Sequence, residues 1–245
     1  MVSFLKKSAH IIFSTLIWAF MILDTVMTFL ILLILKPFDW NQSISHRVIN
    51  VWGQLIVKAN PLWRIKVTGR EHIKKGKGYV LVANHMSLAD IVCLYCLGKN
   101  FKWVAKESLF KIPVFGWCMS LMDYIPLKRG AHGSIRDSFE KSQQWLAKDV
   151  PILIFPEGTR SRDGELSPFK NGAFKLAILM KKPVVPIVIK GTKNALSKGN
   201  ITMSARVKGS VKVFPKIEVD SYTAEGHDEL RDKVWALMNE ELKKS

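Results

Sequence analysis

Residues 79–90 read "YVLVANHMSLAD". The stretch opens as an unbroken apolar run of strand length, of the kind a sheet buries on both faces. It then turns at Asn84 and offers Ser87 and Asp90 at capping-box spacing ahead of "IVCLYCL", the signature of a helix start. A buried strand passing into a helix within a few residues is the unit from which α/β folds are built. The flanks repeat the alternation. "WRIKVTG" (63–69) precedes the Lys/Gly turn "KKGKG", and "KWVAK", "DYIPL", "PILIFP", "VVPIVIK" and "RVKGSVKVFPKIEV" follow as strand candidates. Helices fit between them. Ser134 and Asp137 are spaced to cap "IRDSFEKSQQWLAK", Ser167 with Pro168 can open "FKNGAFKLAILMKK", and "HDELRDKVWALMNEELKK" closes the chain with Leu230, Val234, Leu237 and Met238 on one face. The pattern predicts a mixed central sheet flanked by helices, with neither an internal repeat nor a low-complexity linker.

The N-terminal quarter is of another kind. Ile11 to Leu35 carries Asp24 as its single ionisable residue; as a helix it extends roughly 37 Å, against about 30 Å of bilayer hydrocarbon. It is too long for the apolar core of a signal peptide, and no small-residue cleavage site follows it. Lys6 and Lys7 flank one end, Lys36 and Pro37 the other, and "ISHRVINVWGQLIVKANP" then places Ile44, Val48, Val51, Trp52, Leu55 and Ile56 at helical spacing. Residues 1–60 are expected to form a two-helix membrane hairpin, and 61–245 the soluble domain. Asp24 has two readings, a functional carboxylate within the membrane or a helix that never crosses its centre; the second is favoured by the cost of burying a carboxylate there.

The 245 residues carry a formal net charge of +17 with 48% hydrophobic content, which excludes a disordered chain and requires an acidic partner: nucleic acid, an anionic membrane surface or a phosphorylated substrate. Cys93, Cys96 and Cys118 are odd in number, and no second pair or histidine stands at zinc spacing. They are expected to be free thiols that pack in the core in a reducing compartment, rather than metal ligands.

His85 falls at the end of a buried strand, on the sheet edge where α/β folds place their chemistry. Asp90, in the first turn of the helix, can reach back to its imidazole, fix the tautomer and leave the other ring nitrogen as a general base. No G-x-S-x-G nucleophile occurs in the chain. A base without an enzyme nucleophile points to a hydroxyl supplied by the substrate. A second cluster, "ILIFPEGTRS" (152–161), ends another apolar strand in a turn with Glu157, Gly158, Thr159 and Arg160. Glycine allows close backbone approach and arginine offers a fork suited to phosphate, although a surface turn held by an Arg–Glu pair is also consistent with that composition.

With both clusters in view, the chain resembles the glycerolipid acyltransferases, and within them the bacterial 1-acylglycerol-3-phosphate (lysophosphatidic acid) acyltransferases. The family's N-H-x-x-x-x-D motif stands at Asn84, His85 and Asp90, and its F-P-E-G-T-R-S motif at Phe155–Ser161. "GWCMSLMDYIPLKR", ending at Arg129, and "VVPIVI" around Pro186 resemble two further blocks in the same order. The match covers roughly 63–195 and is weakest at Arg129. The resemblance implies that His85, oriented by Asp90, deprotonates the sn-2 hydroxyl of a lysophosphatidic acid, which attacks acyl-CoA or acyl-carrier protein directly, without an acyl-enzyme. It further implies that Arg160, Lys106 and Arg129 hold the acceptor phosphate, that Glu157 orders Arg160 or the glycerol backbone, and that oxyanion donors come from the Gly158 turn or the start of the Ser87 helix. No metal or organic cofactor is needed, since a thioester is already activated, and no nucleic acid is expected as partner. Other lysophospholipid acceptors, a thioesterase or lysophospholipid hydrolase in which His85 activates water, and a membrane-tethered basic binding protein are the competing readings. Because acyl thioesters are cytoplasmic, the catalytic domain is expected on the cytoplasmic face of the inner membrane.

Overall fold

The structure is a computed structural model that describes residues 2–161, 163–193, 195–196, 203–204 and 206–244; the side chains of Lys6 and Lys7 and the loop residue Arg162 lie outside the described set. Helices α1 (Val2–Leu35) and α2 (Ser43–Ala59) come first. There follow β1 (Trp63–Thr68), β2 (Val80–Ala83), α3 (Ala89–Tyr95), β3 (Lys102–Lys106), α4 (Phe115–Leu121), β4 (Ile125–Leu127), α5 (His132–Ala147), β5 (Ile152–Ile154), α6 (Gly172–Leu179), β6 (Val184–Lys190), β7 (Val207–Val213) and α7 (His227–Lys243).

The seven strands form one sheet in the order β1-β7-β6-β2-β5-β3-β4. All neighbours are parallel except β6 and β7, so the sheet is mixed, as expected. Strand β2 is central and fully buried, and its side chains alternate between two cores. Leu81 and Ala83 join the cluster shared with α1–α4, while Val80 and Val82 join the one built by α5, α6 and α7. This alternation is the period of a strand read across a three-layer sandwich. Pro186 pairs with Val82 in the middle of β6. A proline is tolerated there because β7 has ended at Val213; only Phe214 N–H reaches the Pro186 carbonyl before the bridge from Val184 to Ile217.

The chain leaves β2 through α3 on one face of the sheet and leaves the adjacent β5 through α6 on the other. Neighbouring strands whose connections depart to opposite faces open a crevice at their carboxyl ends, where open α/β sheets bind ligands. His85 follows β2 and Glu157 follows β5, so the two sequence motifs meet at that crevice.

Two helix starts differ from the sequence reading. Helix α5 begins at His132, ahead of Ser134, whose hydroxyl instead takes the Lys128 N–H at 2.8 Å. Helix α6 begins at Gly172; Ser167 lies before it in a loop, with its N–H on Glu157. In both cases the serine is engaged by a partner outside the helix it could have capped: a loop N–H donates to the Ser134 hydroxyl, and the Glu157 carboxylate accepts the Ser167 N–H. Helix α2 also presents a different face from the one its spacing suggested. Ile49, Trp52, Gly53, Ile56 and Val57 are buried, whereas Ile44, Val51 and Leu55 are exposed. Gly53 permits the close fit: a Cβ there would stand 2.5 Å from the Cβ of Tyr95 on α3.

Candidate active site

His85 and Asp90 are held by local geometry. Ser87 Oγ accepts the Ala89 N–H at 3.3 Å, and Asp90 Oδ2 accepts the N–H groups of Met86 (2.7 Å) and Ser87 (2.8 Å), the reciprocal arm of a capping box. The same oxygen stands 2.8 Å from His85 Nδ1. With Nδ1–H donating to this carboxylate, Nε2 is the ring nitrogen left to accept a proton. Asp90 is fully buried, and its other oxygen, Oδ1, accepts the Thr192 hydroxyl at 2.6 Å. The imidazole stacks on Phe155, centroids 4.2 Å apart, which covers one face of the ring. Asn84 bridges to β6 with both ends of its amide, donating to the Ile189 carbonyl (2.9 Å) and accepting the Ile189 N–H (2.7 Å), so it pins the strand end just before His85.

Glu157 does something other than the sequence suggested. Its Oε1 accepts the His85 N–H at 2.7 Å and its Oε2 the Ser167 N–H at 3.0 Å; it forms no ion pair with Arg160 among the described residues. The carboxylate is turned inward between two loops, where peptide N–H groups are its partners, and Arg160 is half-buried in the turn that follows. Burial drives the Glu157 carboxyl up to about 7 against the opposing pull of those two N–H donors. Gly158 sits at φ 71°, a left-handed conformation that costs other residues roughly 1 kcal/mol, and Ser161 N–H closes the turn on the His85 carbonyl at 2.8 Å.

These bonds narrow the candidate oxyanion donors. The Met86 and Ser87 N–H groups are committed to Asp90 and the Gly158 N–H to Phe155. The N–H groups of Thr159 and Arg160 have no partner among the described residues. Lys106 is exposed at the carboxyl end of β3 and Arg129 is exposed in the turn after β4. Both stand on the same side of His85 as Arg160, along the β5-β3-β4 half of the sheet, but neither touches the His85 cluster.

Sequence reasoning missed two features. Thr192 and the 195–196 segment come from beyond β6: Ser87 Oγ donates to the Leu196 carbonyl and accepts the Leu196 N–H. Only the Gly191–Thr192 break after a strand hinted at them. The second feature is an apolar cavity of about 350 Å³ with His85 in its wall, lined from α1 and α2 by Trp18, Thr25 and Trp52 and from the catalytic side by Val92, Trp103 and Phe115. Cys93 and Cys118 are buried, Cys96 is partly so, and all three are free thiols. No cluster of metal ligands occurs among the described residues.

The mixed α/β sandwich thus sets a carboxylate-backed histidine at the switch point, in the wall of an apolar cavity. The comparisons give the family. An acyltransferase family model matches residues 64–190, and the chain belongs to that acyltransferase family. Relatives include the chloroplastic 1-acyl-sn-glycerol-3-phosphate acyltransferase BAT2 of Brassica napus, 34% identical over 82% of this chain and 58% of the relative. The chloroplastic 1-acyl-sn-glycerol-3-phosphate acyltransferase LPAT1 of Arabidopsis thaliana is 36% identical over 71% of this chain and 50% of the relative. The chain thus spans little more than half the length of these curated relatives. Among solved structures, the 1-acyl-sn-glycerophosphate (LPA) acyltransferase PlsC from Thermotoga maritima superposes with a TM-score of 0.84 at 25% identity, covering 97% of this chain and 96% of that one.

Proposed function

We propose that this protein is a 1-acylglycerol-3-phosphate O-acyltransferase: it transfers a fatty acyl group from acyl-CoA or acyl-carrier protein to the sn-2 hydroxyl of lysophosphatidic acid, giving phosphatidic acid. The observation that carries the reading is the position of His85, backed by Asp90 on one ring nitrogen and set in the wall of an apolar cavity by the same imidazole. The cavity suits the acyl chain. Nε2 takes the proton of the acceptor hydroxyl as its oxygen attacks the thioester carbonyl, and Asp90 stabilises the imidazolium that forms. The tetrahedral oxyanion is met by the free Thr159 and Arg160 N–H groups. As the intermediate collapses the C–S bond breaks, and the proton on His85 passes to the departing thiolate. No acyl-enzyme is needed. Arg160, with Lys106 and Arg129 on the same half of the sheet, supplies positive charge for the acceptor phosphate, and Glu157 acts by holding the His85 backbone.

The division into a membrane module (1–60) and a catalytic domain (61–245) belongs to the same proposal. Residues 11–35 of α1 are long and apolar enough to cross a membrane, yet α1 packs against α2 and against α4 of the domain, and Trp52 Nε1 donates to Thr25 Oγ1 at 3.1 Å. The outward side of α1 bears Leu16, Leu23 and Ile34, followed by exposed Phe38 and Trp40 in the turn before α2 and joined by Trp117 of α4. An apolar face shared by α1 and the domain suits a hairpin lying in one leaflet, with the site at the cytoplasmic interface of the inner membrane and the acceptor drawn from the lipid layer. The deciding experiment is an assay of the purified protein with lysophosphatidic acid and each acyl donor, separating phosphatidic acid from free fatty acid. Fatty acid as the sole product would make it a hydrolase, and transfer only to lysophospholipids with larger headgroups would move the acceptor assignment.

A further inference from the structure

The reaction proposed above joins two anionic substrates, and the candidate site has basic residues on both sides of His85, of which only those on the β5-β3-β4 side have been used. On the other side, an open groove of about 840 Å³ runs along the edge of the sheet between β1, β7 and the ends of α2 and α3. Lys58, Arg64, Lys66, Arg70 and Lys208 line it, all exposed, and no carboxylate is among its lining residues. None of the five has an ion-pair partner among the described residues, whereas Lys190 at the groove's rim lies 3.9 Å from Glu241. A concave surface lined by one sign of charge focuses its potential on whatever enters.

Charges on an edge strand commonly serve to block strand pairing. That accounts for Arg64 and Lys66, which alternate outward from β1, but not for Lys58 on α2 or Arg70 beyond the strand, which converge on the same groove. Trp63 decides what the groove is next to: its ring lines both the groove and the apolar cavity that contains His85. Because β1 runs opposite to β2, it lies beyond the carboxyl end of that strand: the register carries Thr68 through Lys212 and Val188 to the level of Asn84, and Trp63 stands further out. Three strand spacings across and about four residues along put its backbone roughly 20 Å from that of His85, about the length of an extended phosphopantetheine arm.

Resting on the acyltransferase reading, we propose that this groove binds the phosphate-bearing end of the donor, the phosphate of a phosphopantetheine thioester and the anionic groups beyond it. The arm passes Trp63 and places the thioester at His85. Coenzyme A and acyl-carrier protein share this chemistry, one continuing into a nucleotide phosphate and the other into an acidic protein surface. An anionic bilayer is the other surface that five cations could meet, and Lys58 shares its side of α2 with exposed Val51 and Leu55. The groove, however, is walled on its far side by Cys96 and Gly98, a concavity that fits a ligand better than a plane.

The test compares the native protein, the triple variant Lys58→Gln/Arg64→Gln/Arg70→Gln, and a control Lys74→Gln/Lys77→Gln, which removes two cations from a separate groove at the amino ends of β2, β5 and β6, away from His85. Donor KM, acceptor KM and kcat are measured with acyl-CoA and, separately, acyl-carrier protein, alongside binding to vesicles containing phosphatidylglycerol. The expected result is a donor KM raised about tenfold or more in the triple variant, with acceptor KM, kcat and vesicle binding unchanged and the control native-like. A rise with both donors assigns the groove to the phosphopantetheine phosphate they share, and a rise with one donor alone assigns it to the nucleotide phosphate or the acidic protein surface that this donor carries beyond it. An unchanged donor KM, a rise confined to the acceptor KM, or a loss of vesicle binding with donor KM intact would each overturn the assignment while native transfer stands. Absence of transfer by the native protein from either donor would instead bring down the acyltransferase reading on which it rests.

Discussion

Asp90→Asn isolates the charge of the carboxylate from its structural work. An asparagine oxygen in the place of Oδ2 keeps the bonds from His85 Nδ1–H and from the Met86 and Ser87 N–H groups. Its NH2 then faces the Thr192 hydroxyl, which can turn from donor to acceptor. The tautomer and the loop survive, and only the stabilisation of the imidazolium is lost. Taking charge centres about 4 Å apart and an effective dielectric near 20, that interaction is worth up to roughly 4 kcal/mol. Since the imidazolium is only partly formed in the transition state, kcat is expected to fall by about two to three orders of magnitude. The assay is single-turnover acyl transfer with both substrates saturating, with a thermal melt as control. A folded Asp90→Asn protein turning over within about tenfold of native would refute the role given to the carboxylate. Asp90→Ala is the poorer experiment, because it strands the His85 Nδ1–H, the Met86 and Ser87 N–H groups and the Thr192 hydroxyl at about 1–3 kcal/mol for each donor left unpaired.

Arg160→Lys retains charge but loses the planar fork, so the acceptor KM is expected to rise while the donor KM holds, with Arg160→Ala worse; a change confined to the donor KM would reassign the residue. Val92→Phe puts a ring into the cavity wall and should shift selectivity toward shorter acyl donors without altering the acceptor KM, read from competition between donors of different length; unchanged selectivity would place the acyl chain elsewhere. The Glu157 carboxyl titrates near 7 in the fold against an ordinary 4.5, so the folded state keeps a proton that the unfolded chain has released between those values. Its contribution to stability is therefore lost as pH rises from about 4.5 to 7, by at most roughly 3 kcal/mol. Glu157→Gln, which gives up one of the two backbone bonds, should melt lower at pH 5 and show a flatter dependence of Tm on pH; parallel profiles for the two proteins would refute the assignment.

The features legible in residue order alone were local. Strand β2, the turn at Asn84 and the approach of Asp90 to His85 involve contacts within six residues, so residue type and spacing were enough to find them. The alternation of apolar runs with capped segments likewise showed an α/β sandwich, because a strand buried on both faces needs helices on both. The helix starts at His132 and Gly172 were decided elsewhere, since Ser134 and Ser167 had partners outside their own helices that no local rule could weigh. The same holds for the other groups around the histidine. Glu157 on the His85 N–H spans 72 residues of sequence, and Thr192 on Asp90 spans 102. The cavity exists only because α1 and α2, read from sequence as a membrane module, also pack against the sheet domain and wall the space beside His85. Chain spacing fixes a contact only over a turn or two; beyond that the partner is chosen by the order in which strands pair, here β2 between β5 and β6.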